Sequence, residues 1–218
     1  MKTQYPLLVL VILFLLANGC VPEPTPTPEA GQLILDSPCS PPCWYHIIPG
    51  KTTEEEVQDL LTQIPNLDLE RTAKAGPRSI YSGLYFLFFI EDHQSGVIYI
   101  KGEIVDSIIL FGDFNLSLEK TIDGFGPPDQ IVSTIRMTGD VQTKSLYLLY
   151  PEAGLVIRVD QSGFKPITVE KADRVDAVYF VNPQTFFDLL TQSPEIFYPS
   201  ELAEQSSPWP GWGAVLEK

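Results

Sequence analysis

A short helix signal followed by apolar, strand-like runs occurs twice in this 218-residue chain. In the first occurrence of this pattern, Thr52 or Thr53 can cap a helix, and Glu55 or Glu56 three residues later completes a capping box. Three strand-like runs follow, over residues 84–90, 97–100 and 104–111. The first of these runs is apolar throughout, which predicts a central strand covered on both faces. Together the three runs predict an antiparallel meander.

The second occurrence of the pattern has the same order of predicted elements. Asn115 or Ser117 can cap a short helix that ends at Gly126. Further strand-like runs lie at residues 129–137, 146–150, 155–159 and 175–181. Residues 151–154 have the proline and glycine of a hairpin turn. Asn182 then opens a last helix, whose predicted buried stripe comprises Phe186, Phe187 and Leu190.

The two occurrences of this pattern favour a tandem repeat. Residues 96–110 resemble residues 154–159 together with 173–180, with an insertion at 161–172 in the second copy. We predict an α+β fold of two similar helix-plus-antiparallel-sheet modules, the second carrying a terminal helix and an aromatic tail. The predicted modules span residues 37–113 and 114–218. Chance similarity between hairpins rich in Val and Ile is the alternative.

The first nineteen residues have the parts of an export signal. Lys2 gives a positive start, residues 6–16 are almost wholly apolar, and small or polar residues lead to Cys20. Such an apolar core fits a signal peptide, because a membrane-spanning helix needs about 20 residues. The segment resembles the lipobox of bacterial lipoproteins. That resemblance implies cleavage before Cys20, diacylglycerol on its sulfur and an acyl chain such as palmitate on its amine. A secretory signal with a chance cysteine is the alternative.

Residues 20–36 are predicted to be the lipidated cysteine and a tether. The alternating prolines of residues 21–29 favour extended polyproline II or a disordered linker, and either holds the folded part off the lipid. Two or more acyl chains give stable anchoring. We therefore expect the protein on the extracytoplasmic face of the cell membrane, held there through Cys20.

The charge balance is strongly acidic. The chain has 14 basic and 28 acidic residues, and loss of Lys2 with the signal brings the net charge from −14 to −15. A surface of this sign repels phosphate backbones. Nucleic acid is therefore excluded as a partner.

Cys39 and Cys43 remain after Cys20 is assigned to lipid. Outside the cytoplasm such a pair is expected to form a disulfide, which we interpret as a staple near the start of the fold. A redox-active dithiol is the functional alternative. With His46 the pair offers only three metal ligands, whereas structural zinc takes four. No metal and no cofactor are predicted.

A family resemblance rests on residues 48–61, Ile-Pro-Gly-Lys-Thr-Thr-Glu-Glu-Glu-Val-Gln-Asp-Leu-Leu. The run is similar to the small lipoproteins of the outer-membrane assembly machinery (the SmpA/OmlA or BamE family) and to the β-lactamase-inhibitor-protein-like fold. The Gly-x-Pro expected next is replaced by residues 62–65, but residues 125–128 keep a version of it. Residues 42–44, Pro-Cys-Trp, also resemble a group of bacterial surface lipoproteins. The resemblance implies a non-catalytic, protein-binding fold and carries over no binding residue.

Catalytic motifs are absent from the sequence. It has no Gly-x-Ser-x-Gly elbow, no His-Glu-x-x-His, no phosphate-binding loop and no dinucleotide fingerprint. Its two histidines, His46 and His93, are interpreted as structural or solvent-facing. We therefore expect a protein that is not an enzyme.

The C-terminal segment is rich in aromatic residues, namely Phe197, Tyr198, Trp209 and Trp212. They either fold back and complete the core or form an exposed platform for a sugar ring or a peptide. Three functions follow from the sequence. The first is a module that binds another exoplasmic protein, the second is carbohydrate or cell-wall binding through Trp209 and Trp212, and the third is thiol exchange at Cys39 and Cys43.

Overall fold

The computed structural model describes residues 30–76, 84–90, 94–138, 141–163, 166–192 and 206–216. Within them the chain forms a nine-stranded sheet with a few short helices, so the predicted α+β class is confirmed. Every strand pair in the sheet is antiparallel. The signal peptide, Cys20, the tether up to residue 29, His93, Phe197 and Tyr198 lie outside the described residues.

The helices are α1 (Ala30–Leu35), α2 (Glu54–Leu61), α3 (Leu118–Phe125) and α4 (Phe186–Gln192). The first four strands are β1 (Leu67–Ala75), β2 (Leu84–Ile90), β3 (Gln94–Lys101) and β4 (Ile104–Gly112). The remaining strands are β5 (Gln130–Thr138), β6 (Val141–Tyr150), β7 (Leu155–Ser162), β8 (Ile167–Thr168), β9 (Ala177–Val181), β10 (Ser207–Pro208) and β11 (Val215–Leu216). The order across the sheet is β1-β2-β3-β4-β9-β7-β6-β5-β10, and β8 pairs separately with β11.

All three predicted helix starts are confirmed. Asn182 caps the turn that leads into α4, and its side chain accepts a hydrogen bond from the Gln184 N–H at 3.0 Å. The Thr53 side chain accepts a hydrogen bond from the Glu56 N–H, and the Glu56 carboxylate accepts one from the Thr53 N–H at 2.8 Å, which is a capping box. Ser117 caps α3 by accepting from the Lys120 N–H at 3.3 Å. That helix ends at Gly126, which has a φ of +84°.

The predicted meander corresponds to β2, β3 and β4. The strand β2 is paired on both sides, by β1 and β3, as expected of an interior strand, and it lies second from the edge of the sheet. The strand β1 was not predicted, because its residues are mostly polar; its pairing shifts register between Asp68 and Ala73. Such a bulge is a common feature of edge strands.

The main core lies between the sheet and the helices α1, α2 and α3. Trp44 is fully buried there, stacks on Phe88 with ring centroids 5.4 Å apart, and donates its Nε1–H to the Leu33 carbonyl at 3.3 Å. Leu33 and Ile34 of α1 are also buried. Residues 30–35 therefore belong to the folded part, whereas the sequence placed them in the tether. Their apolar side chains gain more from burial than from exposure in a linker.

A second cluster covers the opposite face of the sheet, and α4 packs on it. Phe186, Leu189 and Leu190 of this helix are buried, but Phe187 is 42% exposed, so its assignment to the buried stripe is wrong. A 3₁₀ turn over Pro183–Thr185 precedes the helix, and the buried side chains follow the i, i+3, i+4 spacing of residues 186, 189 and 190, which leaves Phe187 outside the stripe. No helix in the described ranges is long and apolar enough to cross a membrane.

Candidate functional site

The face of the sheet that carries α4 is here called the outer face. The strand register places one row of side chains across six strands of this face: Phe89, Ser95, Phe111, Ala177, Arg158 and Tyr147. Paired residues of neighbouring strands point to the same side of a sheet, so these side chains are neighbours. The row crosses the middle of the sheet at β9 and β7.

Arg158 is the centre of a polar cluster on this face. Its Nη1–H donates to the Tyr179 hydroxyl at 3.0 Å, and its Nη2 lies 3.3 Å from the Asp160 carboxylate. The Ser145 hydroxyl donates to the same carboxylate at 2.6 Å. Asp176 accepts from the Asp160 N–H at 2.7 Å. The cluster, hereafter the Arg158 cluster, therefore fixes one cation between two acids and a phenol.

Burial determines the electrostatics of the cluster. Removal from water raises the pKa of the Tyr147 and Tyr179 hydroxyls, which keeps both phenols protonated and able to donate hydrogen bonds. Burial likewise raises the pKa of the Asp176 carboxyl, although its hydrogen bond from Asp160 opposes this. The Arg158 Nε is buried without a hydrogen-bond partner. The guanidinium is thus partly desolvated and rigidly held.

Half-buried apolar side chains extend the site toward β2. Leu87, Val97 and Phe111 pack against the buried cluster of the outer face but stay partly accessible to solvent. The Phe111 ring meets Tyr179 edge to face at 6.4 Å, which links this apolar area to the Arg158 cluster. The Arg71 guanidinium lies 4.1 Å from the centroid of the Phe89 ring. Aromatic rings, two arginines and aliphatic side chains therefore share one continuous face.

The disulfide between Cys39 and Cys43 is present, with Cα atoms 5.6 Å apart, as predicted. Cys43 is nearly buried, whereas Cys39 is partly exposed. The Ser37 hydroxyl lies 3.7 Å from the Cys39 Sγ, and the His46 N–H donates to that sulfur at 3.5 Å. The candidate ligand atoms of Cys39, Cys43 and His46 all lie within 4.8 Å of one another.

His46 also lines an open cleft of about 310 Å³ beside α2. The other residues that line it are Thr52, Glu56, Asp59 and Leu60. Glu56 is held by the capping box, and its hydrogen bonds from Thr53 lower the pKa of its carboxyl. The cleft therefore brings one imidazole close to two acidic side chains.

The aromatic tail divides between the two predicted roles. Trp209 packs against the main core, while Trp212 is 38% exposed and meets Trp209 edge to face at 5.6 Å. The Lys171 Nζ lies 5.6 Å from the Trp212 ring centroid and 2.7 Å from the Glu119 carboxylate. The tail also adds β10 to the edge strand β5 and β11 to β8.

The Arg158 cluster was not identified in the sequence. Its members lie on β6, on β7 and at β9, and only the antiparallel register brings them together. The one available signal was the placement of Arg158 and Asp160 within an otherwise apolar strand pattern. Buried charges of that kind require partners.

Comparison with known proteins gives no family. No protein-family model and no curated protein matches the chain significantly. A crystal structure of a cysteine-rich secretory protein from Staphylococcus aureus subsp. aureus Mu50 aligns at 11% sequence identity with a TM-score of 0.28. The alignment covers 65% of this chain and 50% of that one, so the chain spans about half the length of that protein. A likeness this weak carries no argument about fold or function.

Proposed function

We propose that this protein is a membrane-anchored lipoprotein that binds another extracytoplasmic protein through the outer face of its sheet and does no catalysis. The observation that carries the proposal is the combination of the Arg158 cluster with half-buried aromatic and aliphatic side chains at the middle of that face. The lipobox resemblance at Cys20 supports the anchor. The family resemblance of residues 48–61 supports a protein-binding role.

The residue types on this face are those that commonly dominate protein–protein binding. Binding hot spots are enriched in Tyr, Trp and Arg and lie near the centre of an interface, where water is excluded. Arg158 is partly exposed and meets that description, and its hydrogen bond to the buried Tyr179 holds it in place before any partner arrives. A preorganised surface loses little side-chain entropy on binding. In the described part of the chain, α4 is the one helix that contributes to the buried cluster of the outer face. Its Phe187 side chain stays exposed.

The two-module organisation belongs to the same proposal. Next to α2, the Glu54 N–H donates to the Glu103 carbonyl and the Val105 N–H to the Thr52 carbonyl. Next to α3, an equivalent pair of bonds joins Leu118 to Asp173 and Val175 to Leu116. Each capping residue also forms an isolated β-bridge, Thr53 with Ile104 at the start of β4 and Ser117 with Arg174, three residues before β9. This matching pattern supports an internal repeat whose last strands, β4 and β9, pair at the centre of the sheet.

Site-specific photo-crosslinking in intact cells tests the binding face. A photoreactive amino acid at Phe111 should capture one dominant protein, because this position borders the Arg158 cluster. The same group at Gln58, on the exposed side of α2, is the matched control and should capture far less. Equal capture at both positions, or none at either, would rule out the outer face as the binding surface.

The anchor is tested separately by Cys20→Ala. The variant should leave the membrane fraction and appear in the soluble extracytoplasmic fraction, because a polypeptide without attached acyl chains lacks this membrane anchor. Fractionation followed by immunoblotting measures this. Retention of Cys20→Ala in membranes would refute lipidation at this residue.

Carbohydrate or cell-wall binding is the second candidate function. Its support is the exposed part of Trp212 and the edge-to-face arrangement with Trp209, since aromatic faces pack against sugar rings. Trp212→Ala is the suitable variant, because Trp209 also packs in the core. Sedimentation with isolated wall material should fall on this substitution if the tail binds glycan. Unchanged sedimentation would remove this candidate.

A further inference from the structure

We propose that Cys39, Cys43 and His46 form a zinc site that is closed by the disulfide and opens when the disulfide is reduced. This site is independent of the outer face. Its three ligand atoms already lie within 4.8 Å of one another, and the donors of a tetrahedral zinc site are about 3.5–3.8 Å apart. Movements of about an ångström after reduction are enough to bring them around one ion.

The backbone at His46 is the second observation. Trp44 and Ile47 exchange two backbone hydrogen bonds, of 3.0 and 2.9 Å, across a two-residue turn. Tyr45 and His46 at its tip have φ values of +47° and +67°. Such turns favour Asn and Gly, and residues of most other types are strained in the left-handed region. The chain therefore keeps an imidazole where glycine would fit better, and the turn aims that residue at the sulfurs.

The surroundings suit thiolates. The His46 N–H donates to the Cys39 Sγ, and the Ser37 hydroxyl lies within weak hydrogen-bond distance of the same atom. Donors of this kind stabilise a metal-bound thiolate from outside the ligand set. The buried Trp44 fixes the loop on the core beside Cys43. The loop is thus anchored independently of the disulfide.

The chemistry balances with a small-molecule thiol as reductant. One thiolate attacks the partly exposed Cys39 sulfur, and the S–S bond breaks with release of the Cys43 thiolate. A second thiol resolves the mixed disulfide, which leaves two cysteine thiols and one small-molecule disulfide. Zinc binding then displaces two thiol protons to water and gives a neutral centre of two thiolates, one imidazole and Zn²⁺. Water takes the fourth position, as in zinc sites with three protein ligands.

Cobalt titration of the full-length chain tests the site. The protein is reduced, freed of reductant without oxygen, and titrated with Co²⁺, whose thiolate charge-transfer absorption reports the ligands. We expect one equivalent to bind, Zn²⁺ to displace it, and the oxidised chain to bind none. Circular dichroism checks that the reduced chain stays folded. A reduced chain that unfolds, or one that stays folded without binding Co²⁺, would overturn the proposal.

His46→Gly is the decisive variant. It removes the imidazole, retains both cysteines and relieves the left-handed backbone, so it should fold at least as stably as the parent. Its Co²⁺ affinity should drop at least roughly tenfold, the smallest loss typical of disturbed metal sites. Cys39→Ser with Cys43→Ser is the control without thiolates and should not bind. Unchanged affinity in His46→Gly would exclude the histidine as a ligand and refute the site.

Discussion

Asp106 is a carboxylate at a bulge in β4. Tyr99 pairs with Ser107 and Ile100 with Val105, which leaves Asp106 as the extra residue. Burial raises the pKa of its carboxyl above the ordinary value of 3.8, and the positive charge of Lys101 offsets this only in part. The folded state therefore holds this proton more tightly than the unfolded chain. Its contribution to stability falls as pH rises from about 3.8 through the folded-state pKa.

Asp106→Asn should remove that fall. The variant is expected to be more stable than the parent at neutral pH, where the parent has to keep a charge partly out of water. The difference should shrink toward about pH 3, where the carboxyl of the parent is protonated in both states. Urea unfolding across this pH range measures it. A parent–variant difference that does not change with pH would contradict the assignment.

Single residues also show what sequence can and cannot give. The pairing of Cys39 with Cys43 was predictable, because the other cysteine was assigned to lipid. The Arg158 cluster was not, because its hydrogen bonds join residues 15 to 21 positions apart through strand register. The left-handed turn at His46 was missed for a related reason. Tyr gives no signal of a positive φ, and the enrichment of His at positive φ is too small to predict the turn.

At the level of elements, local signals decided success. The caps of α2 and α3 act within four residues, and both were predicted. The apolar alternation of the edge strand β1 is weak, because Arg71 interrupts it and two of its four apolar residues are alanines. The helix α1 was assigned to the tether because it follows the proline-rich run, and only contact with Trp44 shows its buried face. Tertiary packing supplied what these segments lack in sequence pattern.

Gly96 makes the pairing of β2 and β3 possible. It lies opposite Phe88, and a Cβ at this position would be 2.0 Å from the Phe88 ring. The ring cannot move freely, because it is fully buried and stacked on Trp44. Gly96→Ala should therefore cost about 1–3 kcal/mol of unfolding free energy.

Gly76→Ala is the matched control for that substitution. Among the residues that the structure describes, nothing lies within 4 Å of a Cβ built there, so this change should stay within about 0.5 kcal/mol of the parent. Guanidinium unfolding of both variants gives the comparison. If Gly96→Ala were as stable as Gly76→Ala, the close packing of Phe88 on β3 would be wrong.

The two helix caps should contribute alike. Thr53→Ala and Ser117→Ala each remove the side-chain acceptor for one helix N-terminus, at a cost of about 0.5–2 kcal/mol. The two sites share no partner, so the double variant should lose the sum of the two single losses. Thermal unfolding of the three variants measures this. A cap substitution without effect would show that the backbone bridge at Thr53 or Ser117, not the side chain, sets the start of the helix.

At the scale of the whole molecule, the two ends of the sheet meet at one central pairing. β4 and β9 pair over five residues, from Ser107 with Val181 to Phe111 with Ala177. Ile108 and Val178 on these strands belong to the same buried cluster as residues from both ends of the sheet. Cooperative unfolding requires such a shared core. This shared core therefore predicts that the two halves of the proposed repeat do not fold independently.

Tryptophan fluorescence can test this cooperativity, because the probes lie at different ends of the chain. A variant with Trp209→Phe and Trp212→Phe reports on Trp44, whereas Trp44→Phe reports on the tail. Each variant has its own stability, so the fluorescence midpoint of each is compared with its own circular dichroism midpoint. We expect the two midpoints to coincide in both variants, because breaking the β4–β9 pair exposes the core of both ends at once. A fluorescence transition that precedes the loss of secondary structure in either variant would mean that the ends unfold separately and that the central pairing contributes little.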